Sequence, residues 1–95
     1  MIRLINKFAN GNLHTIYGVP KGAHLMTSPS EYHPGRLYIS YTSNRKTLES
    51  FDVDKYSILE ISGKKYFYEY MLTHVDYINS LMRHDEELEA IEELP

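Results

Sequence analysis

The chain contains no cysteine among its 95 residues. Disulfide bonds, thiolate metal ligands and a cysteine nucleophile are therefore excluded. A secreted domain of this size commonly depends on disulfides, so their absence favours an intracellular, cytoplasmic protein. The chain also lacks a run of about 20 apolar residues, which a membrane-spanning helix would need. We therefore expect no association with a membrane.

The sequence also lacks the short motifs that carry chemistry. It has no Gly-x-Ser-x-Gly elbow, no phosphate-binding P-loop and no Gly-x-Gly-x-x-Gly fingerprint. No two of its five histidines stand four residues apart, the spacing of a helical zinc site. We therefore predict a non-enzymatic protein with no cofactor and no bound metal. Two hypotheses remain: a metal site where His24, His33 and Glu31 converge, and a small enzyme that works from the loop of residues 18–35 through His24 and His33.

Charge is distributed unevenly along the chain. Residues 1–65 carry nine Lys/Arg against five Asp/Glu, whereas residues 66–95 carry one Lys/Arg against eight Asp/Glu. Six of those eight acids lie in residues 85–95. The pattern indicates a basic working surface and an acidic C-terminal segment that either masks this surface or docks elsewhere.

Alternating apolar residues predict β-strands in the first two thirds of the chain. Residues 2–17 should form a β-hairpin, because Asn10-Gly11 suits a type I′ turn. Residues 18–35 hold three glycines and three prolines, which predicts a loop, with a short edge strand at residues 23–27 as the alternative. Further strands are predicted at residues 36–42, at residues 47–53 (or a helical turn there) and at residues 55–61, before a turn at Ser62-Gly63.

The segment after this turn fits two structures. As a strand, residues 65–71 place three tyrosines on one side, and we prefer this prediction because β-favouring and aromatic residues surround the turn. Alternatively, a helix could begin at Gly63, because the apolar residues of this stretch and of the segment that follows lie three or four positions apart. A C-terminal helix from His74 is predicted in either case, with Thr73 as its N-cap. Its apolar stripe consists of Val75, Ile78, Leu81 and Met82.

These elements predict an α+β domain, with a small antiparallel sheet of four to six strands and one C-terminal helix packed on a face. Residues 1–84 should form the single globular domain, and residues 85–95 an acidic tail or an extension of the helix. In that segment Asp85, Glu89 and Glu92 occupy the helix face on which core residues should lie. The segment should therefore not simply continue the same packing.

The favoured function is that of a small interaction module, a regulator or inhibitor that occupies the surface of a protein partner. Compact, cysteine-free accessory proteins of phages and mobile elements are similar in composition. The acidic segment would dock by an apolar row flanked by carboxylates. The predicted partner-binding residues are Leu88, Ile91, Leu94, Glu86, Glu89 and Glu92.

The alternative function is binding of single-stranded RNA or DNA on a sheet face. Cations would meet phosphates there, while bases stack on tyrosine rings. The same tyrosines would equally suit a cross-strand ladder that stabilises the sheet, or a contact between two copies in a homodimer. The predicted nucleic-acid-binding residues are Arg36, Tyr38, Arg45, Lys46, Lys64, Lys65, Tyr66, Tyr68 and Tyr70.

Overall fold

Strands occupy most of the chain before residue 68, and helices follow them. The computed structural model describes residues 1–7, 14–28 and 36–92. The strands are β1 (Ile2–Lys7), β2 (His14–Gly18), β3 (His24–Thr27), β4 (Leu37–Thr42), β5 (Leu48–Val53), β6 (Ser57–Ile61) and β7 (Lys64–Phe67). The helices are α1 (Tyr68–Thr73) and α2 (Val75–Glu92). The predicted α+β class and the C-terminal helix are confirmed.

The strands divide into two antiparallel sheets instead of forming one. The first sheet has the order β2-β1-β6-β7 and the second the order β3-β4-β5. The predicted pairing within residues 2–17 is confirmed, with Leu4 opposite Tyr17, while the Asn10-Gly11 turn lies outside the described residues. β3 confirms the alternative of an edge strand within residues 23–27.

Both sheets contribute to one core. In the first sheet the alternation of β1 places Ile2 and Leu4 on the buried face, opposite Ile61 and Leu59 of β6. Side chains that share a face across antiparallel strands pack together, and their burial supplies most of the folding energy. The second sheet and the helices complete this core with Leu25, Leu37, Ile39, Val53, Met71, Ile78 and Met82.

The strand predicted at residues 65–71 is wrong in its second half. β7 ends at Phe67, and α1 begins at the next residue. Helical backbone brings Met71 into the core with no exposed surface, where it joins Ile78 and Met82 of α2. The apolar helical period therefore prevails over the local preference for a strand.

Thr73 ends α1 and does not cap α2, so the predicted N-cap is wrong. Its hydroxyl donates hydrogen bonds to the carbonyl oxygens of Glu69, at 2.9 Å, and Tyr70, at 3.3 Å. The His74 carbonyl accepts the first hydrogen bond of α2 from the Ile78 N–H, at 2.9 Å. The chain is already helical before Thr73, and this makes its hydroxyl a partner for carbonyls of the preceding turn.

α2 runs without interruption across the boundary predicted between residues 84 and 85. Asp85 follows Ile78 and Met82 on the buried side of the helix and is only 4% exposed. Its carboxylate accepts hydrogen bonds from the Ser62 hydroxyl and from the Met1 amine. On the buried side of α2, Ile78 and Met82 thus make apolar contacts, whereas Asp85 makes hydrogen bonds. In the described part of the chain, no helix is both long and apolar enough to cross a membrane.

Candidate binding groove between β7 and α2

One of the two outer edges of the first sheet lies along β7, whose neighbour in the described sheet is β6. A cavity of about 250 Å³ is lined by all four residues of β7 and by Tyr70 and Tyr77. Consecutive residues of a strand point to opposite faces, so a cavity that touches all four runs along the strand edge itself. We infer that the N–H and C=O groups on the outer side of β7 border this cavity.

A tight turn sets the position of β7. Ser62 and Gly63 both have positive φ angles, of 51° and 83°, and this is the type I′ pattern whose twist matches paired strands. The turn predicted there is confirmed, and it pairs Lys64 with Ile61 at the start of the hairpin. Because α1 begins directly after Phe67, the chain bends away before another strand can pair with this edge.

Aromatic rings form the wall of the cavity. The Tyr70 ring stacks on His74 with centroids 4.1 Å apart, and it contacts the rings of Tyr66 at 5.7 Å and Tyr77 at 6.5 Å. These contacts tie β7, α1 and the start of α2 together. Phe67 is 59% exposed and Tyr77 is 50% exposed. The wall therefore presents apolar surface that the described residues do not cover.

A second cavity, of about 370 Å³, continues toward the C-terminal half of α2. It shares Lys64, Tyr66 and Tyr77 with the first cavity. Its other lining residues are Ile61, Ser62, Leu81, His84, Asp85 and Leu88. Tyr77, Leu81, His84 and Leu88 recur at spacings of four, three and four, so they share one face of α2, and Asp85 lies one turn after Leu81 beside them. We call the two connected cavities the β7–α2 groove.

The groove has a positive rim. Lys64 and Lys65 are exposed, and within the described part of the chain neither takes part in an ion pair. Asp85 is the one carboxylate in the two linings, and the Met1 amine lies 3.0 Å from it. Burial raises the pKa of Asp85, but hydrogen bonds from Ser62 and the amine outweigh burial and hold this pKa below its ordinary value. The buried charge is therefore compensated, whereas the two lysines are not.

Side chains contact each of the other outer strands. The Asn79 side chain of α2 hydrogen-bonds the backbone of Leu25 on the outer strand β3. The outer strands β2 and β5 are joined by the stacked rings of Tyr17 and Phe51, whose centroids are 5.2 Å apart. Among the outer strands of the described sheets, β7 is thus the one whose edge lies along a ring-lined cavity.

Acids predicted to bind a partner hold α2 to the domain. Glu86 accepts a hydrogen bond from the Gly22 backbone N–H at 2.9 Å. Glu89 forms an ion pair with the Met1 amine. Both carboxylates are therefore used within the molecule.

The apolar members of the same prediction point outward. Leu88 is 44% exposed and Ile91 is 65% exposed. Leu88 lines the β7–α2 groove, and Ile91 lies one helical turn beyond it. Leu94 and the side chain of Glu92 lie outside what the structure describes.

The residues predicted to bind nucleic acid fall on two sheets. Arg36 and Tyr38 line a cavity of about 210 Å³ at the second sheet, where Arg36 forms an ion pair with Asp52. Arg45 and Lys46 lie in the exposed turn between β4 and β5 of the same sheet. Lys64, Lys65 and Tyr66 belong to the first sheet. The predicted continuous strand face is therefore divided into two separate groups.

The predicted row of Tyr66, Tyr68 and Tyr70 is not a strand ladder. Tyr66 is a buried residue of β7, and Tyr68 and Tyr70 belong to α1. Tyr68 packs against the core, while Tyr70 lines the groove. The change from strand to helix after Phe67 turns Tyr68 toward the core, while the rings of Tyr66 and Tyr70 stay in contact at 5.7 Å.

Part of the loop for which chemistry was predicted lies outside the described residues. His33 and Glu31 lie outside them, and His24 is exposed. In the part of the chain that the structure describes, no three His, Asp or Glu side chains are placed to hold a metal ion.

Seven residues that line the groove were not predicted as site residues, namely Ile61, Ser62, Phe67, Tyr77, Leu81, His84 and Asp85. For α2 the sequence did contain an indication, because Tyr77, Leu81, His84 and Leu88 recur at spacings of four, three and four. Nothing in the sequence indicated that β7 lies at the edge of a sheet, because local sequence does not reveal the order of strands.

Comparison with protein-family models, with curated proteins and with solved structures finds no match to this chain.

Proposed function

We propose that this chain is a small non-enzymatic interaction module, a regulator or inhibitor that occupies the surface of a protein partner. The observation that supports it best is the cavity along the open edge of β7, walled by exposed rings. An open sheet edge offers backbone donors and acceptors to an incoming chain. The rings supply apolar area, which dominates the energetics of protein interfaces.

The exposed apolar residues explain why a partner is expected. Phe67, Tyr70, Tyr77 and Leu88 are all exposed large hydrophobic residues that line the groove. Apolar surface gathered in one place and rimmed by charge is typical of an interaction site. Single exposed apolar residues elsewhere, such as Leu48, carry no such meaning.

Single-stranded nucleic acid is a second candidate, favoured by Lys64 and Lys65 beside the exposed rings. Cations next to aromatic rings can meet phosphates and stack bases. The backbone edge of β7 offers such a ligand little, however, and α2 carries many acids close by. We therefore place it second.

Selection from a displayed random-peptide library tests the proposal. The baits are the unchanged chain and the variants Phe67→Ser and Tyr77→Ser. The matched control is Leu48→Ser, because Leu48 is an exposed apolar residue of β5 in the other sheet. We expect enriched peptides to bind the unchanged chain and the control, and to lose at least about tenfold in affinity for the groove variants, about 1.4 kcal/mol.

Two results would refute this assignment. One is that no peptide is enriched over an unrelated bait. The other is that enriched peptides bind the groove variants and the control equally well, which would place the contact surface elsewhere. A further bait, Ile91→Ser, measures whether the exposed end of α2 belongs to the same surface.

A further inference from the structure

Two cations at the edge of the first sheet have no acidic partner within the described residues. The Lys64 Nζ lies over the Tyr66 ring, 5.7 Å from its centroid. Lys65 stands opposite Glu60 across the β6–β7 pair, but the Glu60 carboxylate binds the Arg3 guanidinium, with 2.9 Å between Nε and Oε1. Positive charge at this edge is therefore available to a ligand.

β7 repeats the same pair of residue types on each of its faces. Lys64 and Tyr66 share one face, and Lys65 and Phe67 share the other, because side chains alternate along a strand. Each face thus carries a cation followed two residues later by a ring, and of these rings Phe67 is exposed while Tyr66 is largely buried. A chain that paired with β7 would meet both cations near one end and both rings near the other.

We propose that the β7–α2 groove takes an extended acidic peptide segment as an added antiparallel strand, a proposal that rests on the proposed function. Antiparallel pairing matches the rest of the sheet. Residues directly opposite each other in such a pair share a face and contact each other. The complementary segment therefore reads, from its N-terminus, two apolar residues followed by two acidic residues. The apolar pair lies against Phe67 and Tyr66, and the acidic pair lies against Lys65 and Lys64.

The outer edge of β7 suits a peptide better than a nucleic acid, because it offers backbone hydrogen bonds that another polypeptide can match. An added strand pairs its N–H and C=O groups with the edge, and this gives affinity that does not depend on side chains. The Tyr77 and Leu88 side chains beyond the edge receive apolar groups of the segment. Specificity then comes from charge, since a basic segment would place like charges opposite the two lysines.

A fluorescent peptide with the central sequence Ile-Val-Glu-Glu tests the proposal by anisotropy and by amide chemical shifts of the chain. We expect binding that perturbs the β7 amides and weakens at least about tenfold when the glutamates are replaced by lysines. The double variant Lys64→Glu/Lys65→Glu should reverse this preference and bind the Ile-Val-Lys-Lys peptide. Lys55→Glu, in the exposed turn before β6, is the matched control and should leave the preference unchanged.

Strand addition is tested separately by methylating alternate backbone nitrogens of the peptide. Methylation on the nitrogens that face β7 should abolish binding, and methylation on the others should leave it within about threefold. Equal binding of both methylated forms would overturn the added strand. Equal binding of acidic and basic peptides in the groove would overturn the acidic partner, while the groove as a docking site would stand.

Two further outcomes would overturn the proposal altogether. One is that a labelled oligothymidine displaces the peptide and binds more tightly with a steep salt dependence, which would assign the groove to nucleic acid. The other is a stable homodimer whose interface covers the β7 amides and which the peptide does not dissociate. If peptides selected on the unchanged chain still depend on Phe67 and Tyr77 while the acidic peptide fails, the proposed function survives without this inference.

Discussion

The Asn79 side chain forms with Leu25 the two hydrogen bonds that a neighbouring strand would form. Its Oδ1 accepts from the Leu25 N–H at 2.7 Å, and its Nδ2 donates to the Leu25 carbonyl oxygen at 2.9 Å. The outer edge of β3 is thereby closed by an amide from α2. β7 has no such contact among the described residues, so its outer edge is open to a partner.

Replacing Asn79 by alanine should destabilise the fold. The change leaves a partly buried N–H and C=O of Leu25 without partners, and each such loss costs about 1–3 kcal/mol. Urea unfolding measures the free energy, and amide hydrogen exchange should accelerate at Leu25. Asn44→Ala, in the exposed turn between β4 and β5, is the control and should change stability by less than about 0.5 kcal/mol. Equal effects of the two changes would contradict the role assigned to Asn79.

Asp85 and Ser62 should be energetically coupled. The Ser62 hydroxyl donates to the buried carboxylate, so Asp85→Asn should lower the free energy of unfolding by about 1–3 kcal/mol. Ser62→Ala keeps a Cβ at the same positive φ and removes only the hydroxyl. A double-mutant cycle should give a coupling energy of about 0.5–3 kcal/mol. Strict additivity would show that the contact does not stabilise the fold.

The stability that depends on Asp85 should disappear in acid. Its pKa is lowered in the folded state because hydrogen bonds from Ser62 and the Met1 amine outweigh the opposing effect of burial. A lowered pKa contributes stability that is present above the pKa of the unfolded chain and is lost as pH falls through the folded pKa. The difference in unfolding free energy between the unchanged chain and Asp85→Asn should therefore be constant near neutrality and shrink below about pH 4. Urea titrations across that range measure this difference in unfolding free energy. A difference that increased as the pH fell would contradict the prediction.

The two sheets should separate more easily without the Phe51 ring. This ring lies between Tyr17 of the first sheet, at 5.2 Å, and Tyr41 of the second, at 4.7 Å. Phe51→Ala should cost about 1–3 kcal/mol in thermal or urea unfolding, through lost apolar contact and ring stacking. Phe51→Leu retains apolar volume and should cost less. If leucine and alanine destabilise equally, ring stacking is the part that matters.

Lys65 should protect the open edge of β7 against self-pairing. Charged residues on an edge strand discourage the addition of another copy. Lys65→Val should therefore raise the average mass in light scattering as concentration increases. Lys55→Val, in an exposed turn, is the control and should behave like the unchanged chain. A Lys65→Val protein with an unchanged mass would show that this charge does not guard the edge.

Much of the fold could be predicted from local patterns. The alternation in residues 36–42 and 55–61, together with the Ser62-Gly63 turn, identifies β4, β6 and their neighbours. The candidate site could be predicted only in part. Lys64, Lys65, Tyr66, Tyr70 and Leu88 were candidates from composition, but they were assigned to two different functions because nothing in the sequence brought β7 beside α2.

The sequence by itself determined the elements whose causes are local: alternating strands, a turn that needs positive φ, an amphipathic helix and the exclusion of thiol chemistry. Only the tertiary structure decided that Asn79 hydrogen-bonds the outer edge of β3 and that the outer edge of β7 lies beside a cavity. It also decided that Asp85, an acid in a run of acids, lies buried against Ser62. The physical reason is that the Asn79–Leu25 and Ser62–Asp85 contacts join residues more than 20 positions apart in the chain, whose approach is set by packing of the whole core and not by any local preference.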